Sequence, residues 1–155
     1  MDAILDYWEA NGYHDGRHLA YIFATTYHET ARTMQPIEEY GKGKTKPYGV
    51  PDPITGKTYY GRGFVQLTWK DNYKKAGILV GADLVNEPEL ALDLAYSTKI
   101  LVEGMTSGLF TGKKLSNYFN DEVTDPISAR KIVNGRDKAE LIASYYHIFL
   151  DAIIN

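Results

Sequence analysis

The stretch LAYIFATTYHET, residues 19–30, carries the clearest fold signal in the chain and ends beside a carboxylic acid. Its larger side chains recur at the three- and four-residue spacing of one helical face. They are Leu19, Ile22, Phe23, Thr26 and Tyr27. This spacing predicts a helix from about Arg17 to Thr30. A largely apolar helix packs into a core, so we expect Glu29 at the border of the core, where partial burial favours a protonated acid.

The second half of the chain carries the start signals of two more helices. Asn86 as a cap and Pro88 in the first turn predict a helix from about Glu87 to Gly104. Asp125-Pro126 repeats this signal for a short helix. We expect the short helix to stop at Asn134-Gly135, where glycine can adopt the left-handed terminal conformation.

The two remaining signals are a long apolar stripe and a loop-rich middle segment. The stripe runs from about Asp137 to Ile153 and predicts a last helix that faces the core. Residues 41–63 contain three prolines and six glycines, with Thr55-Gly56 as a turn, which predicts a small hairpin or irregular lobe. The expected class is therefore α+β, mainly helical, with helices around a short sheet and one domain over residues 1–155.

Composition narrows the classes of function that remain. The 155 residues are 44% hydrophobic, enough for one core, and they contain no cysteine for a disulfide or a thiolate zinc site. A net charge of −3 argues against nucleic acid as the partner. The acidic start, residues 1–18, has no long apolar run, so we expect neither a signal peptide nor stable membrane insertion. We also expect a monomer.

Residues 41–62 hold five cationic side chains against Asp52, a local charge of 5 − 1 = +4. Such a run most often faces water, but beside a cleft it could attract an anionic polymer.

His14 and His18 are four residues apart, the spacing of a helical metal pair, but Gly16 between them weakens any such helix. We therefore expect no metal and no cofactor.

The segment YYGRGFVQLTWKDNY, residues 59–73, is the most specific motif. Together with the upstream His-Glu-Thr at a helix end, it resembles glycoside hydrolase family 19, which includes plant and bacterial chitinases and many phage endolysins. Tyr-Gly-Arg-Gly, Gln-Leu-Thr and Asn-Tyr follow in the family's order. The resemblance extends from about Leu19 to the last helix. It implies a lysozyme-like fold with a cleft between a helical lobe and a small irregular β-hairpin lobe.

The resemblance also assigns roles to residues. Glu29 would be the general acid, and either Glu38 or Glu39 the general base, with Glu39 preferred. Thr68 would help to hold the attacking water. Further positions expected at the sugar cleft are His28, Tyr60, Arg62, Gln66, Asn72 and Asn134. We also expect Arg62 to brace a catalytic carboxylate, and its charge would favour the ionised form that a base needs.

The function implied is that of a peptidoglycan-degrading endolysin of the muramidase type, acting by inversion. Its two carboxyl groups would then stand about 6.5–9.5 Å apart, with room for a water between them. The long loops and cysteines of plant chitinases are missing, which favours an open cleft that accepts a bulky wall polymer. The resemblance also implies a place of action. An endolysin with no leader would collect in the host cytoplasm and reach the wall once the membrane is permeabilised.

Three alternatives stay open at this point. A chitinase would use the same acid and base on polymers of N-acetylglucosamine. A lytic transglycosylase would need one acid, and Glu39 and Thr68 would then have no catalytic role. The third alternative, from a different class, is a catalytically inactive module that binds the cell wall.

Overall fold

The computed structural model describes residues 1–154 of the chain, and most of them are helical. The α-helices of this part are α1 (Asp2–Ala10), α2 (Gly16–Glu29), α3 (Lys70–Val80), α4 (Leu94–Ser107), α5 (Leu115–Tyr118) and α6 (Ala139–Ile154). Short 3₁₀ helices span Pro47–Gly49, Pro88–Leu92 and Ser128–Ile132. Two short strands, β1 (Ile37–Glu38) and β2 (Arg62–Gly63), complete the regular structure. The predicted α+β, mainly helical class is confirmed.

Helix α2 is the centre of the core and delivers the first candidate residue. Its residues 19–26 are all buried, and it packs along α6. The Asp15 carboxylate caps its start by accepting a hydrogen bond from the backbone N of Arg17 at 2.9 Å. The helix ends at Glu29, where the Thr30 hydroxyl donates to the carbonyl of Thr26 at 2.7 Å. The prediction of a helix from about Arg17 to Thr30 is confirmed to within one residue.

The predicted helix over residues 87–104 is wrong at its start. A 3₁₀ turn over Pro88–Leu92 comes first, and α4 begins only at Leu94. Asp93 is the cap, because its carboxylate accepts from the backbone N of Tyr96 at 3.1 Å. The side chain of Asn86 instead donates to Asp83.

The predicted end of that helix is wrong as well. Helix α4 continues past Gly104 to Ser107 and ends at Gly108, which has a left-handed φ of +82°. Gly104 serves packing, since a Cβ at this position would lie 2.4 Å from a ring carbon of Phe110. A glycine in the interior of this helix therefore marks a close contact and not a terminus.

The last third of the chain agrees with the sequence more closely. The final helix was expected at about 137–153 and is observed as α6. Asp125 starts the short helix as predicted, accepting from the backbone N of Ser128 at 3.0 Å, although the helix is 3₁₀. Gly135 does not have the predicted left-handed conformation. That backbone occurs at Lys138, with φ +61°, directly before α6.

The β lobe is an irregular hairpin held by few backbone pairs. Strand β1 pairs antiparallel with β2, with Ile37 opposite Gly63 and Glu38 opposite Arg62. The Thr55-Gly56 turn is present as predicted: Asp52 accepts from two backbone N–H groups there, and Gly56 has φ +71°. Residues 59–73 alternate between apolar and polar side chains as a strand would, but only Arg62–Gly63 pairs as a strand and the chain enters α3 at Lys70.

Helix α1 was not predicted and is attached to the core through α4. The hydroxyls of Tyr7 and Tyr13 both donate to the Glu103 carboxylate, at 2.8 and 2.9 Å. Trp8 stacks on Tyr13 with ring centroids 5.0 Å apart. Across residues 1–154, no helix combines the length and apolar character needed to cross a membrane.

Candidate active site

A cleft of about 380 Å³ separates the end of α2 from the β lobe. Its lining residues come from both sides and from the turn before α6. They are Glu29, Glu39, Tyr48, Gly61, Val65, Gln66, Thr68, Val133 and Asn134. Five of the predicted site residues, Glu29, Glu39, Gln66, Thr68 and Asn134, therefore lie around one cavity although 105 positions separate the first from the last.

The Glu29 carboxylate is held on the helical side of the cleft by an arginine that sequence reasoning missed. Nη1 of Arg130 donates to Oε1 of Glu29 at 2.8 Å. Arg130 is only 2% exposed, and its Nε donates to the carbonyl of Asp137 at 2.9 Å. The guanidinium thus links the end of α2 to the segment before α6.

Arg62 does not brace a catalytic carboxylate, which corrects the prediction made for it. Its Nη1 donates to the carbonyl of Thr58 and to the hydroxyl of Tyr73, both at 3.0 Å. Its guanidinium carbon lies 3.8 Å from the centroid of the Tyr60 ring. The side chain is 6% exposed and does not line the cleft, so it supports the β lobe from inside. Arg130 occupies the bracing position, and the apolar setting of SARKIV, residues 128–133, was its one sequence signal.

The Glu39 carboxylate lies on the opposite side and accepts two hydrogen bonds. The backbone N of Gly61 donates to Oε1 at 2.6 Å, and the Tyr48 hydroxyl donates to Oε2 at 3.2 Å. Gly61 permits this approach, because a Cβ there would lie 2.8 Å from Oε1 of Gln66 and 3.3 Å from Glu39. Burial, reinforced by Glu39, raises the pKa of Tyr48, so Tyr48 remains a donor at neutral pH. The two donors hold the Glu39 side chain in place beside the cleft.

Glu38 has a different partner and a different place. It sits in β1, and its carboxylate accepts a hydrogen bond from the Tyr60 hydroxyl. Glu38 is not among the residues that line the cleft. The structure therefore places Glu39, and not its neighbour, across the cleft from Glu29. This agrees with the preference for Glu39, whose role as a base stays a prediction.

Thr68 reaches the cleft from a strained turn. Gln66 and Trp69, on either side of it, have φ of +55° and +72°, a conformation that costs about 1–3 kcal/mol for a residue with a side chain. The Gln66 amide secures the turn by donating to the carbonyls of Ile37 and Gly63, at 2.9 and 3.0 Å. Within residues 1–154 the Thr68 hydroxyl has no hydrogen-bond partner, so it is available to a water or a sugar.

The other predicted cleft residues lie beside Thr68, Glu38 or Glu29, or at the rim of the cleft. Asn72 donates to the carbonyl of Thr68 at 3.1 Å and so supports the turn without lining the cleft. Tyr60 stands between Glu38 and Arg62, also outside the lining. His28 is half-buried beside Glu29, and burial lowers its pKa below 6.5, which keeps its ring neutral at pH 7. Asn134 is exposed at the rim of the cleft.

Comparison with known proteins assigns the family. The sequence model described as class I chitinase, glycoside hydrolase family 19, matches residues 10–102, more than half of the chain. The chain belongs to glycoside hydrolase family 19. The resemblance seen in the motifs is thereby confirmed, and with it the lysozyme-like fold. The matched region contains Glu29, Glu39 and Thr68 of this family 19 protein, whereas Arg130 and Asn134 lie beyond it.

Among curated proteins, the family 19 chain is similar to plant chitinases. It is 36% identical over 95 residues to acidic endochitinase Q of Nicotiana tabacum, covering 52% of this chain and 38% of that protein. It is 35% identical over 99 residues to chitinase 3 of Oryza sativa subsp. japonica, covering 54% and 31%. The inactive chitinase-like protein 1 of Hevea brasiliensis is 35% identical over 101 residues, covering 56% and 32%. The alignments thus span about a third of the length of these relatives.

Among solved structures, chitinase C of Streptomyces griseus HUT6037 matches the family 19 chain over nearly its whole length. The superposition has a TM-score of 0.64 at 25% sequence identity, and covers 97% of this chain and 81% of that structure. The shared architecture therefore extends through α6 and includes the segment that carries Arg130, which the family's sequence model does not reach.

Proposed function

We propose that this protein hydrolyses β-1,4 glycosidic bonds between N-acetylated amino sugars, with inversion at the anomeric carbon. The observation that carries the proposal is the cleft itself: Glu29 and Glu39 line it from opposite lobes, each in a different polar environment. A pair of carboxyl groups across a cleft is what glycoside hydrolysis requires. Within residues 1–154 no group of metal-ligating side chains competes for this role.

Glu29 would act as the acid that protonates the leaving oxygen. Proton transfer turns Glu29 into a carboxylate, and Arg130 is already in place at 2.8 Å to stabilise that product. A cation fixed beside the developing negative charge lowers the barrier without any rearrangement. Arg130 is therefore a positioning residue that acts on the reaction through Glu29.

Glu39 would act as the base. Its carboxylate, held by two hydrogen-bond donors, would take a proton from a water held near the Thr68 hydroxyl. The water attacks the anomeric carbon on the face opposite the leaving group, so the configuration inverts. At the end of the cycle Glu39 is protonated and Glu29 is ionised, and exchange with solvent restores both.

Chitin is the first candidate substrate, because the relatives and the solved structure with printed activities are named chitinases. Peptidoglycan has the same β-1,4 linkage between amino sugars and is the second candidate. The observation that favours it is the exposure of Lys42, Lys44 and Lys46 on the loop that leads to Tyr48. A neutral polymer would gain nothing from these charges, whereas an anionic wall polymer would.

The test compares Glu29→Gln and Glu39→Gln with wild type, and Glu38→Gln serves as the matched control. Substrates are the N-acetylglucosamine hexamer and purified sacculi. We expect each of the first two variants to lose about 10²–10⁴-fold in kcat, the usual contribution of an acid or base. The Glu38 variant should stay within a few-fold of wild type.

Product anomers followed by nuclear magnetic resonance test the stereochemistry in the same reactions. Initial release of the inverted anomer is expected, and a retained anomer would overturn the mechanism. Anhydro-sugar products would point to a lytic transglycosylase. Binding to either polymer without release of any product would instead support an inactive binding module. One relative, the chitinase-like protein 1 of Hevea brasiliensis, is itself described as inactive.

A further inference from the structure

A second concavity, of about 600 Å³, lies against the 3₁₀ helix that carries Arg130. Its walls are that helix and the turn into α6. The lining residues are Ile127, Ser128, Lys131, Arg136, Lys138, Ala139, Glu140 and Leu141. We refer to these residues as the basic pocket. Nothing in the proposed mechanism uses it.

The basic pocket is positively charged in a protein whose net charge is −3. Its cations are Lys131, Arg136 and Lys138, against the single carboxylate of Glu140, which gives 3 − 1 = +2. Within residues 1–154 none of these three cations forms an ion pair. Three cations against one carboxylate leave an excess of positive charge, and an anion that enters the pocket would reduce the repulsion among the cations.

Asp125 is the neighbouring carboxylate that acts on Lys131 from the preceding turn. Hydrogen bonds from Ser128, first among them the one from its backbone N–H, hold the pKa of Asp125 below its usual value. Its carboxylate is thus engaged in capping the helix. Counting it with the pocket leaves a net charge of +1, so the pocket still favours anions.

The chain holds this pocket at a fixed place relative to the cleft. Arg130, between them, is bonded to Glu29 of the cleft on one side and to the carbonyl of Asp137 on the other. The backbone carbonyl of Arg136 accepts a hydrogen bond from the backbone N of Ala139 at 3.1 Å, which closes the turn at the pocket wall. Val133 and Asn134 line the cleft, and Lys131 and Arg136, two residues away along the chain on either side, line the basic pocket. The two cavities are therefore separated by a distance on the order of 10 Å.

This separation lies within the length of the peptide stems that peptidoglycan carries. A peptide stem of four or five residues attached to a sugar in the cleft extends about 15 Å, enough to pass Asn134 at the rim and reach the pocket. Such stems end in free carboxylates. Chitin has no branch and no charge, so it offers nothing to this pocket.

We propose that the basic pocket binds carboxylates of the peptide stems of peptidoglycan while the glycan occupies the cleft. Lys131 and Arg136 would then determine the preference for peptide-bearing glycan over chitin. This inference rests on the proposed glycosidase function and names the substrate that the same cleft takes.

The experiment compares wild type with the Lys131→Gln/Arg136→Gln double variant. The charge-matched control is Lys75→Gln/Lys113→Gln, at two exposed lysines outside both cavities. Substrates are soluble, uncross-linked peptidoglycan strands and the N-acetylglucosamine hexamer. We expect the pocket variant to lose about tenfold in kcat/KM on the strands, the effect of two exposed ion pairs. It should remain unchanged on the hexamer, and the control should be unchanged on both.

Each other outcome overturns the inference in a distinguishable way. Equal losses on both substrates would show that the pocket supports the cleft structurally, and no loss on the strands would show that it binds no stem. Cleavage of the hexamer but not of the strands by wild type would remove peptidoglycan as the substrate and leave the glycosidase. Cleavage of neither would remove the proposed function together with the inference.

Discussion

At the scale of single residues, the site depends on where two arginines are placed. Arg62 stands in a Gly-Arg-Gly motif and was predicted to brace a catalytic carboxylate, but Tyr60 and Tyr73 enclose it in the β lobe. Arg130 stands in an unremarkable stretch and becomes the partner of Glu29. Local sequence could not predict the role of Arg130, because its partner Glu29 lies 101 positions away. The rings that enclose Arg62 stand in the same motif, but the motif does not show that they fold over the guanidinium.

Arg130 variants test this placement. Arg130→Gln removes the charge that stabilises ionised Glu29, so we expect kcat on the hexamer to fall about 10²-fold. The unfolding free energy should fall by about 2 kcal/mol, since a bond to a charged group is lost. Arg130→Lys keeps the charge but cannot bond both Glu29 and the Asp137 carbonyl, and should recover part of kcat. Kinetics and urea unfolding measure both effects.

A control variant distinguishes loss of the positive charge beside Glu29 from loss of a positive charge elsewhere on the protein. Arg136→Gln removes an exposed guanidinium six residues away and should leave kcat on the hexamer unchanged. If Arg130→Gln kept wild-type kcat while losing stability, Arg130 would have a purely structural role.

At the scale of elements, the loop over residues 41–50 positions Tyr48 against Glu39. The backbone at Gly49 packs directly against the backbone at Gly43, since a Cβ at Gly49 would lie 1.9 Å from the carbonyl oxygen of Gly43. No other residue type fits there without moving backbone. The contact therefore fixes the place of Tyr48, the residue immediately before Gly49.

Replacing this glycine should affect catalysis through Tyr48. In Gly49→Ala the two backbone segments must separate, Tyr48 moves, and Glu39 loses one donor. We expect kcat to fall about tenfold, the value of one hydrogen bond to a charged group. Gly41→Ala is the matched control, because nothing lies within 4 Å of its Cβ. Equal kcat in both variants, measured on the hexamer, would contradict the assigned role of the loop.

The sequence predicted the elements that carry a long apolar face and missed those that do not. Helices α2 and α6 follow from their apolar spacing, and Glu29 follows from the end of α2. Helix α3 was missed because it starts abruptly after Trp69, at φ +72° and without a side-chain cap, in a stretch that alternates like a strand. Strand β2 is two residues long and pairs with a segment 24 positions away, so no local pattern could predict it.

At the scale of the whole molecule, the distribution of charge matters more than its sum. The net charge is −3, yet Lys42, Lys44 and Lys46 are all exposed on one side of the cleft and the basic pocket lies beyond the other. An anionic polymer bound in the cleft would have positive charge near it on the lysine loop and in the basic pocket.

Salt tests this arrangement directly. Glu29→Gln, which binds without turnover, should bind sacculi less well as salt rises from about 0.1 to 1 M, because the screening length falls from about 10 to 3 Å. Its affinity for the neutral hexamer should not change. The Lys42→Gln/Lys44→Gln/Lys46→Gln variant should weaken sacculus binding at low salt. Co-sedimentation measures all three, and binding indifferent to both changes would show that the lysines play no part.

The contact between Glu29 and Arg130 also bears on how the molecule folds. It joins residues 101 positions apart, so it closes one of the longest loops in the chain. Long-range contacts are slow to form because the entropy of closing the loop is lost before the contact is gained. The acid acquires its partner only when the segment before α6 docks onto α2. Recovery of enzyme activity during refolding should therefore follow this late docking step, and helix formation by α2 alone should precede it.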